Sequence, residues 1–317
     1  MSCARGRTDR LTTDRTCLRH RHLHAPTHVH DSGAQCPRGG SPMYERPSIV
    51  VTGSTRGIGK GLAADLLKRG ADVMISGRTQ SAVDAALKEL SAHCTNGARL
   101  AGAACDVSSA AGLQALWDAA VRAFGHVDIW VNNAGISHPR QRAGDMRAED
   151  VTAVQETNLL GVLLATQIAL RGMSNQKTGG TIWNMEGYGS NGMMNPGMSL
   201  YGASKFALTY FNKALIEETR NGAVRICYLS PGIVLTDLLK RDVGSNSRED
   251  LQRTLRAYNI LGDRVETVTP FLAAGILAQH ETGDRVAWLT GAKAARRFFM
   301  ALFKKRQIMS ESDFAAG

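Results

Sequence analysis

Aromatic residues make up only 6% of this 317-residue chain, and there are 28 Asp and Glu against 38 Lys and Arg. Cysteine is sparse: six thiols, at 3, 17, 36, 94, 105 and 227, with no CxxC pair. That scatter excludes a disulfide framework and the usual zinc-ligand spacings, so no metal site is expected and a reducing compartment is. Long apolar runs are missing too. The longest, Leu159 to Leu170, is interrupted by Thr166 and Gln167, whereas a membrane-spanning helix needs about 20 apolar residues.

The net charge of +10 does not describe the body of the chain. Residues 1–47 hold eight Arg against Asp9, Asp14, Asp31 and Glu45, and Lys293 to Arg306 adds six more cations. The middle is near neutral and carries no basic stripe with interleaved aromatics, which argues against nucleic acid as a partner. Residues 1–47 also hold five of the nine histidines (20, 22, 24, 28 and 30) and few large apolar side chains. Such a stretch cannot bury enough apolar surface to offset its ordering entropy, so a disordered extension is expected, with folded sequence starting near Met43. It has no apolar core of a secretory signal. A cytoplasmic location is the simpler expectation; the Arg content leaves a chloroplast transit peptide as the alternative.

From Ser48 the hydrophobic pattern alternates short strands with amphipathic helices. Strands are expected at 48–52, 72–76, 99–105, 127–131, 181–185, 224–229 and 285–289. Helices are expected to 69, then at 81–93, 109–124, 149–173 and 265–280, with another from Tyr201. This is an α/β pattern, a Rossmann-type doubly wound sheet of about seven parallel strands. One domain over 48–291 is the economical division, followed by a basic amphipathic tail over 292–317.

The first strand runs into Gly53-Ser54-Thr55-Arg56-Gly57-Ile58-Gly59 and a helix. Glycines at a strand-to-helix turn let the backbone approach a pyrophosphate, and the helix N-terminus supplies donors and a positive dipole. An NAD site wants a carboxylate at the end of the second strand to hold the ribose 2′-hydroxyl. Arg78 stands there instead, with Arg56 in the glycine loop. Both suit a 2′-phosphate, so NADPH or NADP is expected before NAD. Further on, Tyr201 and Lys205 are four apart and share one helix face. An ammonium beside a phenol favours the phenolate and moves a pKa of about 10 toward the working pH of general acid–base chemistry.

In this order the motifs resemble the short-chain dehydrogenase/reductase family over about residues 48–291: TGSTRGIG (52–59), Asp106-Val107, NNAG (132–135), Asn158, Tyr201xxxLys205, and Pro231-Gly232 with Thr236. The resemblance implies that Gly53, Gly57 and Gly59 shape the pyrophosphate turn and that Asp106 and Val107 meet the adenine. Asn133, Ala134 and Gly135 would support the sheet and the adenosine ribose. Pro231, Gly232, Ile233 and Thr236 would cover the nicotinamide and phosphates. Tyr201 would be the acid/base, with Lys205 and Asn158 in a proton relay. The family usually pairs its long helices across subunits, which implies a homo-oligomer.

The chain departs from that pattern before Tyr201. Where most members carry two serines it reads Glu186 and Gly187, and the position thirteen before the tyrosine is Tyr188. Ser190 is the candidate to hydrogen-bond the substrate oxygen; its other reading is a cap on a glycine-rich turn. Glu186 is expected to bond nearby loop amides, or else to touch substrate. The loop NMEGYGSNG, with Asn259 to Leu261 and Trp288 to Ala294, resembles the chlorophyll b reductase branch. That implies reduction of the 7-formyl group of a chlorophyll pigment. A general carbonyl or 3-oxoacyl reductase, and a non-catalytic NADP-binding sensor, remain as alternatives. The polar segment between Leu235 and Arg264 reads as a lid over substrate. In the tail, a helix expected over Lys293 to Ile308 puts Ala295, Phe298, Phe299 and Leu302 on one stripe among basic residues; it would lie on an anionic membrane surface, or dock on its own domain or a partner subunit.

Overall fold

The computed structural model describes residues 46–243, 248–310 and 313. Residues 1–45 of the expected extension, Met43 among them, lie outside the described residues, while the carbonyl of Pro47 already accepts the Asp72 amide.

Seven strands form one parallel sheet: β1 (Ser48–Val51), β2 (Asp72–Gly77), β3 (Leu100–Ala104), β4 (Ile129–Asn132), β5 (Gly180–Met185), β6 (Val224–Ser230) and, at one edge, Arg285–Ala287. Two short strands precede that last one in the chain, β7 (Val234–Leu235) and β8 (Asp263–Arg264), so it is β9; the sheet order is β3-β2-β1-β4-β5-β6-β9. Every pairing is parallel; Val50, for example, lies between Met74 and Trp130. Parallel strands need crossovers, and helices supply them on both faces. The pleat then divides each strand between two cores. Ile49 and Val51 join Leu62, Leu66, Ile75 and Leu272 on one side, while Val50 joins Leu116, Trp130, Ala169 and Ile182 on the other.

The helices are α1 (Gly57–Leu67), α2 (Gln80–Leu90), α3 (Ala110–Phe124), α4 (Ala148–Gln155), α5 (Gly161–Ser174), α6 (Ser199–Thr219), α7 (Asp237–Val243), α8 (Arg248–Leu261), α9 (Val265–Leu277) and α10 (Gly291–Ala301). Sequence signals explain several ends. Thr79 and Ser109 cap α2 and α3 by accepting the amides of Ala82 and Gly112, and Gly125 closes α3 in the left-handed region. On α5, Gly172 leaves room for a ring of α3: a Cβ there would lie 2.0 Å from Trp117.

Two expectations are corrected. The helix expected over 149–173 is not continuous: α4 and α5 are joined by a π-helical turn, Glu156–Leu160, with Asn158 inside it. Periodicity cannot reveal one extra residue in a turn, and here tertiary bonds to Asn158 hold it open. The tail helix ends at Ala301, so Lys304 to Arg306 lie beyond it. The segment expected as a lid holds α7 and α8, with 244–247 outside the described residues. Its two ends are tied by the pairs Val234 with Asp263 and Leu235 with Arg264.

Candidate active site

β1 lies between β2 and β4, the point where the winding direction reverses and a crevice opens at the strand ends. The glycine loop fills that point. Gly53 and Gly57 have φ of +62° and +56°, a region that side chains avoid. At Gly59 a Cβ would meet Asn133 Nδ2 at 2.4 Å and the Gly53 carbonyl at 2.5 Å. Asn133 donates to the carbonyls of Thr52 and Gly53. The Thr52 hydroxyl accepts the amides of Asn133 and Ala134, each at 3.0 Å. Thr52 therefore clamps the first and fourth strand ends together, a role its place in the motif did not disclose.

Ser54 turns inward: its buried hydroxyl donates to the Val51 carbonyl and accepts the Ser76 amide. No side chain caps α1, whose N-cap is Arg56. The first amides of that helix, with its dipole, thus remain directed at whatever sits above the loop, and this is the fit expected for a phosphate. Thr55 leans on Gly77, where a Cβ would lie 2.5 Å from its methyl, and Arg78 follows, exposed. Arg78 acts on Asp106, whose carboxyl is held below its ordinary value first by the hydroxyl and amide of Ser108 and then by that guanidinium. Arg56, also exposed, comes within 3.9 Å of Asp237, a distance at which solvent-exposed pairs contribute little. Val107 lies under Gly161, the first residue of α5, where a Cβ would be 2.9 Å from its carbonyl. From the far side Thr236 arches over Gly57 at van der Waals distance, and Gly232, at φ +72°, packs on Leu289, bringing the Pro231 to Thr236 loop to the same place. Ile58 packs on the core below, and the Ile233 carbonyl accepts the Asp263 amide.

Beside this cradle lie Asn158, Tyr201 and Lys205. Asn158 is fully buried; its amide accepts from the Ile136 backbone N–H and donates to the Ile136 carbonyl, both at 2.8 Å. It also reaches Ser204 Oγ on α6 at 3.4 Å. Gly135 lies against it. On α6, Tyr201 is 8% and Lys205 4% exposed. Lys205 Nζ donates to the Met185 carbonyl at 3.2 Å and stands 5.9 Å from the centre of the Tyr201 ring. Burial lowers the Lys205 pKa to about 8, and the Glu186 carboxylate opposes that shift.

Both hydroxyls converge on Gly187. A Cβ there would lie 2.5 Å from the Tyr201 hydroxyl and 3.0 Å from Lys205 Cε, so only glycine leaves the tyrosine its place. Ser190 Oγ accepts the Gly187 amide at 3.1 Å while the Ser190 amide donates to the Gly187 carbonyl. The capping geometry is thus present, and the hydroxyl hydrogen is left for another acceptor. Tyr188 stands in the family's serine position; burial raises its pKa, with Arg140 opposing. Glu186 does not bond loop amides. Its carboxylate pairs with Arg285 of β9 at 2.7 and 2.8 Å, a partner 99 residues away that no local reading could supply. Behind the site, Trp130, Asn132, Asn184 and Asn212 form a buried hydrogen-bonded row, with Asn132 donating to Asn184 at 2.7 Å and Asn184 to Asn212 at 2.6 Å. It ties α6 to β4 and β5.

An uncapped glycine turn at the switch point of a doubly wound sheet, next to a tyrosine and a buried lysine on one helix, is the arrangement of a Rossmann-fold oxidoreductase. The chain matches the short chain dehydrogenase family over residues 47–246, and it belongs to that family. A probable chlorophyll(ide) b reductase, chloroplastic, of Arabidopsis thaliana is 34% identical over 257 residues, 77% of this chain and 50% of that one. A second Arabidopsis protein, a chlorophyll(ide) b reductase, also chloroplastic, is 33% identical over 269 residues, 81% and 74% of the two chains. This chain thus spans about half the length of the first relative. Among solved structures, a Burkholderia cenocepacia short chain dehydrogenase in complex with NADP has a TM-score of 0.63 at 27% identity, covering 76% of this chain and 96% of that one. A Brucella melitensis 3-ketoacyl-(acyl-carrier-protein) reductase complexed with NADH has a TM-score of 0.66 at 25% identity, covering 79% and 99%.

Proposed function

We propose that this chain is an NADPH-dependent carbonyl reductase acting on the 7-formyl group of chlorophyll(ide) b and leaving a 7-hydroxymethyl group. The observation that carries the reading is the loop from Glu186 to Ser190. It replaces the family's double serine by a glycine that seats the Tyr201 hydroxyl and a single serine aimed at the same point, and it stands in a chain one third identical to two chlorophyll(ide) b reductases. Exposed Met193 and Met194, 59% and 94% accessible just beyond Ser190, give the site an apolar rim suited to a large ring substrate.

Gly53 to Gly59, Asp106, Val107, Asn133 to Gly135 and the loop from Pro231 to Thr236 would hold the dinucleotide, with Tyr201 and Lys205 on the ribose beside the reactive ring. The reduced cofactor supplies the hydride. Neighbours captured with NADP and with NADH leave the choice to local charge, and Arg78 at the end of β2 favours the 2′-phosphate. Tyr201 donates a proton to the oxygen that becomes negative, and the Ser190 hydroxyl steadies that charge. Lys205 keeps the phenol acidic, and the buried Asn158 turn lies behind it to pass on the replacement proton. We propose further that the chain works as a homo-oligomer through the π-helical turn, α5 and α6, where Leu160 of the turn and Phe206 and Tyr210 of α6 are exposed. The relatives' chloroplastic location supports the chloroplast over the cytoplasm.

The test is NADPH oxidation against chlorophyllide b, small aldehydes and acyl-thioester ketones in parallel. Chlorophyllide b should be turned over fastest, with loss of its formyl absorption. Turnover confined to small aldehydes or to acyl-thioester ketones would replace the pigment reading by the general carbonyl one.

A further inference from the structure

Residues 291–310 contain six Lys and Arg and no Asp or Glu. Two of the six point inward. Arg297 and Arg306 share Asp263, each at 2.8 Å, and bond the carbonyls of Ile260, Leu261 and Gly262. Trp288 Nε1 donates to the same carboxylate, whose side chain is 4% exposed. Asn259 on α8 completes the clasp: its oxygen accepts the amides of Ile308 and Met309 and its nitrogen donates to the Met309 carbonyl. Lys293 covers the Trp288 ring.

The consequence is an inverted helix. An amphipathic helix normally buries its apolar stripe, yet no residue of α10 is buried. It is held by its charged face, and the apolar face looks outward: Phe298, Phe299, Met300, Leu302 and Phe303 are 48–77% exposed, with Phe299 and Phe303 packed edge to face at 5.3 Å. Arg296, Lys304 and Lys305 stand exposed among them, and no carboxylate pairs with these three among the described residues. A contiguous apolar surface of this kind marks a contact surface.

We infer that this face of α10 and the turn after it lies on an anionic lipid surface. A lipid headgroup layer accepts both parts of the face at once. The phenyl rings and Leu302 enter the acyl boundary, while Arg296, Lys304 and Lys305 stay level with the phosphates and are attracted to them. A protein partner would have to place carboxylates opposite cations that sit on a turn beyond the helix end. The surface is also linked to the active site. α8, which carries Asn259, carries Tyr258, and Tyr258 bonds Arg140 in the segment that runs from Ile136, on Asn158, to Gln141, whose amide reaches the Gly197 carbonyl.

Flotation of the full chain with phosphatidylcholine vesicles, with and without phosphatidylglycerol, tests this independently of any substrate. The chain should float with the anionic vesicles and be released by high salt. Lys304→Glu with Lys305→Glu should weaken binding at least about tenfold. Phe299→Ser with Phe303→Ser should do the same, and both double variants should keep the parent thermal midpoint because the Asp263 clasp is untouched. Failure of the parent to float, or undiminished flotation of both variants, would overturn the inference. So would a Phe299→Ser/Phe303→Ser variant that changes the sedimentation coefficient and leaves flotation alone, since the face would then belong to a protein interface.

Discussion

Two opposed effects act on the buried Lys205 ammonium. Burial lowers its pKa to about 8 and the Glu186 carboxylate, held by Arg285, pushes it back up. In the proposed mechanism the charged lysine is the form that acidifies Tyr201, so the reduction rate should fall as pH rises through about 8. Glu186→Gln removes the opposing charge, and a pH–rate profile should then show the falling limb at lower pH. An unmoved limb would mean that the carboxylate does not govern Lys205. Tyr201→Phe should lower turnover by about 10²–10⁴-fold with NADPH affinity nearly unchanged by fluorescence titration; retained turnover would remove Tyr201 from the chemistry. Gly187→Ala should act on the same proton, because the added methyl meets the Tyr201 hydroxyl and then Lys205. A kcat loss of at least about tenfold is expected in steady-state kinetics, equivalent to about 1.4 kcal/mol; an unchanged kcat would mean that the hydroxyl has another place to sit.

At the level of elements, spacing located the helices and strands because hydrophobic periodicity follows from geometry along the chain. The break at Asn158 was hidden for the same reason: its cause is the Ile136 backbone, 22 residues away. The α3–α5 contact is equally non-local, since nothing near Gly172 announces the Trp117 ring. Gly172→Ala should destabilise the protein by about 1–3 kcal/mol, the usual cost of overpacking a core, and chemical denaturation would measure it. A neutral substitution would show that the helices separate readily.

For the whole molecule, Asp263 joins three parts: β8, the indole of Trp288 and the two tail arginines. Removing one partner of a buried ion cluster leaves the others uncompensated. Asp263→Asn should loosen the tail more than the sheet. Limited proteolysis should cleave faster after Arg297 and Lys304, with a lowered unfolding midpoint, and unchanged cleavage would mean that Asn259 alone retains the tail.

The doubly wound architecture, the glycine turn, Asn158, Tyr201 and Lys205 were legible because each depends on local spacing and motif order. The same text named Ser190 once the double serine was missing, and it showed the apolar and basic residues of the tail. Only the tertiary structure decided what those residues face. It gave Glu186 to Arg285 instead of loop amides, made Gly187 the seat of the tyrosine hydroxyl, and turned the charged side of α10 inward through Asp263. The reason is physical: the sign and strength of a charge's contribution depend on its neighbours and its access to water. Those neighbours came from strands and helices far apart in the chain.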